Sequence, residues 1–143
     1  MMKLISVLFA AIFLAVSPAA TEPKFGDYPT KMYLKRKLAL PKFVGSISQF
    51  KTRIRNGMKS GPNYGGHFSL IEIGCGTSCI FAFLIDGRDG RVVDFPLGGE
   101  DNYQLQLRYG IDSTLLQADW MDTTNGARTT RASGAFTMSG QET

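Results

Sequence analysis

The sequence predicts a single α+β domain, built mainly from an antiparallel β meander with one N-terminal amphipathic helix. Three observations support this prediction. Apolar residues alternate with other residues along several short segments, which is the period of a half-buried strand. Glycine-rich turns separate these segments, as in hairpins. One earlier segment, residues 43–59, instead carries apolar residues at spacings of three, four and four, which is the period of one helix face: Ile47, Phe50, Ile54 and Met58.

Residues 1–20 have the features of a secretory signal peptide. A lysine at position 3 gives a positive start, an uncharged apolar run follows, and residues 17–20 supply small side chains for cleavage. The apolar run is too short to span a bilayer comfortably, and no second hydrophobic segment follows it. We therefore expect a bacterial protein that is periplasmic or secreted, with no transmembrane segment after signal removal.

Residues 21–42 are predicted to form a basic, extended arm, because prolines interrupt a polar and basic stretch. The arm is expected to pack a few apolar side chains against the domain: Tyr28, Tyr33, Leu34, Leu38 and Leu40. From Lys24 to Lys59 the chain has ten basic residues and one acid, Asp27. This asymmetry indicates either that the two halves fold against each other or that the basic half binds an anionic partner, such as an envelope polymer. Nucleic acid is not expected, because the motifs of nucleic-acid modules are missing.

Residues 43–143 are predicted to form the single domain. Its strands are expected in the central glycine-flanked run, in a hairpin around residues 87–90, and in residues 103–109 and 114–121. From about residue 122 the tail is rich in Thr, Ser, Gly and Ala. It is expected either to be weakly ordered or to add an edge hairpin of residues 128–131 against residues 134–138.

Residues 61–79 contain the only histidine, His67, and both cysteines, Cys75 and Cys79. Export implies an oxidising compartment, so the two cysteines are predicted to form one intramolecular disulfide. Closing so small a loop removes little chain entropy, about 2 kcal/mol. The bridge is therefore expected to shape a turn more than to hold the domain together.

Catalytic alternatives are weaker in this sequence. Along a continuous strand, His67 and Cys75 would be about 26 Å apart, which excludes a nucleophilic dyad. His67, Cys75 and Cys79 form the alternative set for a soft metal or a redox role. Acids near the hairpin turn, such as Asp86, Asp89 and Asp94, leave open a carboxylate pair. We predict no catalytic residue and no cofactor.

The candidate binding residues lie in two stretches. In the central window they are Asn63, Tyr64 and His67, although His67 could equally be a buried structural histidine. In the arm they are the consecutive bases Lys35, Arg36 and Lys37. Glu72, a polar residue within the central strand, is expected to pair with Arg53 or Arg55 of the helix.

Three segments form a recognisable set: Phe50-Lys51-Thr52-Arg53-Ile54-Arg55, Gly61-Pro62-Asn63-Tyr64-Gly65-Gly66-His67-Phe68, and Gly74-Cys75-Gly76-Thr77-Ser78-Cys79. This set, with Tyr28-Pro29-Thr30 upstream, resembles a group of small exported bacterial proteins of uncharacterised function, whose segments read F-x-T-R-I-R, G-P-N-F-A-G-H-Y and G-C-G-T-x-C. The resemblance covers about Tyr28 to Pro96, with departures at Tyr64, Gly65 and Phe68. It implies a periplasmic location and a shared scaffold, and it brings no catalytic assignment.

These observations predict an exported periplasmic binding protein, an inhibitor or immunity-type protein that acts on another envelope molecule. The expected partner is a protein, and an anionic envelope polymer is the second possibility. The alternative is an envelope enzyme, or a metal- or redox-handling protein, that uses His67 with Cys75 and Cys79.

Overall fold

The apolar segments on the two sides of the cysteine turn form two long neighbouring strands. The computed structural model describes residues 22–33, 37–122 and 130–137. In it, β1 (Phe68–Gly76) and β2 (Cys79–Asp86) form a hairpin, and β3 (Val92–Gly98) follows, giving a first antiparallel sheet in the order β1-β2-β3. A second antiparallel sheet has the order β4-β5-β6, with strands Asn102–Tyr109, Leu115–Asp122 and Thr130–Thr137. The fold is therefore α+β and mainly antiparallel, with the predicted meander divided between two sheets.

The helical segment, residues 45–60, has three consecutive parts. A 3-10 helix (Gly45–Phe50) leads into α1 (Lys51–Gly57), and a second 3-10 turn (Met58–Ser60) follows. Gly61, at a φ of 83°, then turns the chain away in a conformation that favours glycine. The α-helical part is thus much shorter than the single helix that the spacing predicts.

The first sheet is the middle layer of three. On one face, Ile71, Ile73, Phe83 and Ile85 pack with fully buried Ile54 of α1. Around them lie further apolar residues of the helical segment and its entry, namely Phe43, Ile47, Phe50 and Met58. The other face supplies Leu70, Ala82 and Leu84, which pack with Leu105, Leu116 and Ala118 of the second sheet. Residues 69–71 of β1 and 82–86 of β2 are buried on both faces, since successive side chains point to opposite sides of a sheet.

Glu72 does not pair with the helix, contrary to the sequence-based expectation. It accepts a hydrogen bond from the hydroxyl of Tyr109 in β4, at 3.0 Å. The reason is its position in the alternation: Ile71 and Ile73 face α1, so Glu72 faces the second sheet.

The arm is held by backbone hydrogen bonds to loops beside both sheets. The amide of Thr30 donates to Asp112, and Tyr33 donates to Gly66. Farther along, Ala39 donates to Gly87. Gly66 has a φ of 81°, and a Cβ there would collide with the carbonyl of Lys31. The close approach of the arm to Gly66 therefore requires glycine.

Two predictions about the chain ends have different outcomes. The signal peptide, residues 1–20, lies outside the described residues. The hairpin predicted within the tail is wrong, because residues 131 and 134 belong to one continuous strand, β6. That strand pairs with β5 from Leu115 opposite Thr137 to Asp122 opposite Thr130.

Candidate functional site

His67 lies where the loop before β1 meets the turn between β2 and β3. Gly65 and Gly66, both at positive φ, bring the chain around to it. The carbonyl of His67 accepts a hydrogen bond from the amide of Gly87, which brings Asp86 close to the imidazole. His67 Nε2 is 3.8 Å from Asp86 Oδ2, and their side chains are 16% and 3% exposed. The β1–β2 register, with Phe68 opposite Asp86, produces this contact.

The carboxylate of Asp86 is satisfied by Arg88. It accepts hydrogen bonds from the Arg88 amide at 2.8 Å, from Nε at 3.1 Å and from Nη2 at 2.9 Å. Burial raises the pKa of Asp86, but the hydrogen bonds from Arg88 outweigh burial and hold this pKa below its ordinary value. The carboxylate is therefore ionised at neutral pH, and its charge is neutralised within the turn.

The imidazole of His67 is held in its neutral form. Burial lowers its pKa below the ordinary 6.5, and the charge of Arg88 lowers it further, although Asp86 and a backbone hydrogen bond with Gly65 act in the opposite direction. Among the described residues, Nε2 is buried without a hydrogen-bond partner. Nε2 lies 3.8 Å from Asp86 Oδ2, which is beyond hydrogen-bond distance. His67 lies between Gly66, to which the arm is bonded, and Gly87 of the β2–β3 turn.

Two of the acids considered for a carboxylate pair each lie beside an arginine. Asp86 is bound by Arg88, and Asp89 lies 3.7 Å from Arg91.

Asn63 and Tyr64, predicted as binding residues, make contacts within the fold. The Asn63 amide nitrogen donates to the carbonyl of Leu70 at 2.9 Å, and its oxygen accepts from the Leu70 amide at 2.7 Å. These two bonds occupy the outer edge of β1. Tyr64 is 1% exposed, and its hydroxyl donates to the Thr114 carbonyl at 2.6 Å. Its ring therefore belongs to the core between the two sheets.

The predicted basic triplet is only partly described. Lys37 is exposed, whereas Lys35 and Arg36 lie outside the described residues. The neighbouring anchors, Tyr33 to Gly66 and Ala39 to Gly87, attach the arm on either side of His67.

The three alternative metal ligands lie apart. Cys75 and Cys79 form a disulfide at one end of the β1–β2 hairpin. His67 precedes the other end of β1, about 26 Å away at the rise of an extended strand. In the described parts of the chain, no three His, Cys, Asp or Glu side chains converge as metal ligands.

A shallow cleft of about 500 Å³ lies beside the disulfide. Its apolar lining includes Phe81 and Phe95, and two exposed acids, Asp94 and Glu100, also line it. Sequence reasoning did not find this cleft, because it depends on how β3 and the following loop meet the β1–β2 turn.

An exposed apolar strip was also missed. Leu40 and Val44 are 79% and 75% exposed, and Val93 is 46% exposed. Lys42 of the arm forms a parallel β-bridge with Arg91, which brings this part of the arm alongside β3. The expectation that Leu40 packs against the domain is therefore wrong. A closer reading could have found the strip, because Leu40, Lys42 and Val44 alternate as one side of an extended segment.

None of the helices within the described ranges has the length and apolar character required to cross a bilayer. The chain matches no protein-family model, no curated protein and no solved structure.

Proposed function

We propose that this chain is an exported binding protein, of the inhibitor or immunity type, that recognises an acidic protein of the bacterial envelope. The binding surface is the Val44 face, which consists of Leu40, Lys42, Val44, Arg55 and Val93. The observation that carries the proposal is a pair of large apolar side chains held in the open, Leu40 on the arm and Val44 just after it. Exposed apolar side chains that lie together, ringed by polar residues, are typical of protein interaction sites.

The charge of this face favours an acidic partner. The guanidinium of Arg55 lies over the ring of Phe43, 5.2 Å from its centroid, so this cation borders the residue that precedes Val44. Neither Lys42 nor Arg55 forms an ion pair with a described residue, so both charges are available. An apolar centre with a cationic rim complements an apolar patch ringed by Asp and Glu.

Export is part of the same proposal. The Cys75–Cys79 bridge supports it, because disulfides persist in oxidising compartments such as the periplasm. The resemblance to small exported proteins supports it independently through the three matching segments.

The test compares one apolar position on this face with one elsewhere. Wild type, Val44→Asp and Met32→Asp are used to capture partners from envelope extracts, and binding of the purified partner is then measured by calorimetry. Met32 is a matched control, since it is also exposed, at 54%. We expect Val44→Asp to weaken Kd about 100-fold, the effect of losing a central apolar contact, and Met32→Asp to change it less than about threefold.

Two results would overturn the proposal. One is equal affinity of wild type and Val44→Asp for the partner. The other is a partner that is an anionic polymer, whose binding would survive Val44→Asp and disappear in a Lys42→Glu/Arg55→Glu variant.

A further inference from the structure

The disulfide occupies an accessible position beside the cleft. Cys75 is exposed near the end of β1, whereas Cys79 is half-buried at the start of β2. Both cysteines line the 500 Å³ cleft, together with Phe81, Phe95 and Glu100. An external thiol lying in this cleft would therefore reach the sulfur of Cys75 more readily than that of Cys79.

The bridge closes too small a loop to make a large entropic contribution to the fold. It closes a loop with a sequence separation of only four, so its entropic contribution is about 2 kcal/mol. The enclosed turn has a second attachment, because the Gln104 amide donates to the Ser78 carbonyl at 2.9 Å. A register shift in β4 between Tyr103 and Gln106, with Gln104 at a φ of 55°, provides that attachment. This hydrogen bond attaches the turn to β4 independently of the bridge.

The charges around the turn favour exchange with a basic segment. Arg53 Nη1 lies 3.5 Å from the carbonyl of Gly74, which places a guanidinium one residue from Cys75. A nearby cation stabilises a thiolate, and this assists release of a cysteine from a mixed disulfide. Asp94 and Glu100, both exposed on the cleft, attract lysine or arginine beside an incoming cysteine.

We propose that Cys75–Cys79 is a thiol–disulfide exchange site for cysteine-containing, basic, extended segments of other exported proteins. This activity goes beyond partner binding by the Val44 face and does not depend on it. Exposed disulfides that contribute little to the fold are the ones open to such exchange.

The exchange proceeds in two balanced steps. A thiolate of the segment attacks Sγ of Cys75, an intermolecular disulfide forms, and the Cys75–Cys79 bond breaks with Cys79 leaving as a thiolate that takes a proton from water. A second thiolate of the segment then attacks the segment's own sulfur in the mixed disulfide and displaces the Cys75 thiolate. The segment is oxidised to a disulfide, and the bridge is reduced to two thiols. Glutathione disulfide can restore the bridge by the reverse chemistry.

The experiment measures single-turnover rates with two synthetic peptides. Each peptide has one cysteine, flanked either by lysines or by glutamates, and is mixed with the oxidised full-length protein. Acid-quenched samples are analysed by mass spectrometry for the mixed disulfide and for the cysteine that carries it. The oxidised peptide Cys-Gly-Thr-Ser-Cys, copied from residues 75–79, is the reference disulfide, because flanking charges also change the peptide thiol itself.

For each disulfide we take the ratio of the rate with the lysine peptide to the rate with the glutamate peptide. We expect this ratio to be about tenfold larger for the protein than for the reference disulfide. The adduct should lie on Cys75, and the preference should fall below about twofold in an Asp94→Asn/Glu100→Gln variant. Equal normalised rates for the two peptides would overturn the proposal, as would adducts on Cys79. Loss of the folded state on reduction and alkylation would also overturn it, since the bridge would then be structural.

Discussion

The stability of this protein between pH 7.0 and 5.5 should depend on a single side chain. His67 is the only histidine, and histidine is the only side chain whose unperturbed pKa lies in this range. Burial and the charge of Arg88 hold the pKa of folded His67 below 6.5, its value in the unfolded chain. Below pH 6.5 the unfolded state therefore binds more protons than the folded state. The stabilisation is fully present above pH 6.5 and is lost as the pH falls through the folded pKa.

The size of the effect follows from proton linkage. One proton changes the free energy of unfolding by at most about 1.4 kcal/mol per pH unit, and this slope applies between the folded and unfolded pKa values of His67. The pKa of Asp86 is also lowered, so the stability it contributes is lost only as the pH falls below 3.8. The loss from Asp86 therefore lies outside the range from pH 7.0 to 5.5.

The assay compares wild type with His67→Asn by urea unfolding at half-unit pH steps. Asparagine does not titrate, so the variant lacks the only side chain expected to bind a proton in this pH range. We expect the free energy of unfolding of wild type to fall from pH 6.5 to 5.5, and that of the variant to change by less than about 0.3 kcal/mol. Parallel curves for the two proteins would refute the assignment of a neutral, buried His67.

Three further predictions concern the scaffold, and all are measured as changes in the free energy of unfolding. Gly66→Ala should cost more than about 2 kcal/mol, because its Cβ would meet the Lys31 carbonyl. Gly61→Ala is the control: it has open space around it and should cost about 1 kcal/mol for its positive φ alone. Equal losses would contradict the close approach of the arm. Ile54→Ala should cost about 2–5 kcal/mol, since the side chain is fully buried beneath the first sheet, and a loss below about 1 kcal/mol would mean that the helical segment packs elsewhere. Tyr64→Phe should cost about 1–2 kcal/mol through its lost hydroxyl, and no change would exclude that hydrogen bond.

Much of the sheet architecture follows from local pattern. The alternation in residues 103–109 and the glycine-flanked turn at residues 87–90 correspond to β4 and to the β2–β3 connection. Both signals are local, since the period of two and the turn residues are read within one segment. The division into two sheets could not be predicted in this way. Both faces of β1 and β2 carry apolar residues, and no single segment shows which element covers each face.

Side-chain direction was harder to predict for isolated polar residues and for the arm. Glu72 faces Tyr109 because neighbouring isoleucines fix which side of β1 meets the helix, and the helix position was needed to see this. Leu40 is exposed because this part of the arm lies alongside β3 and has one side in contact with solvent.

The surroundings of His67 were only half predictable. Its uniqueness and the preceding glycines identified the residue, but its contacts with Asp86 and Arg88 arise from the β1–β2 register and span about twenty residues of sequence. Tyr64 was predicted as a contact residue because it lies in the central window beside His67, yet its ring fills the core. The predicted disulfide is present, since a chain with two cysteines allows a single intramolecular pairing.

The central claim, recognition of an acidic partner by the Val44 face, is tested most directly by photo-cross-linking in living cells. A benzophenone amino acid is placed at Val44 in one full-length variant and at Met32 in another, and the cross-linked products are identified by mass spectrometry. We predict one acidic envelope protein joined through position 44 and absent at position 32. The same adducts at both positions, or no protein adduct at position 44, would contradict the proposed binding surface.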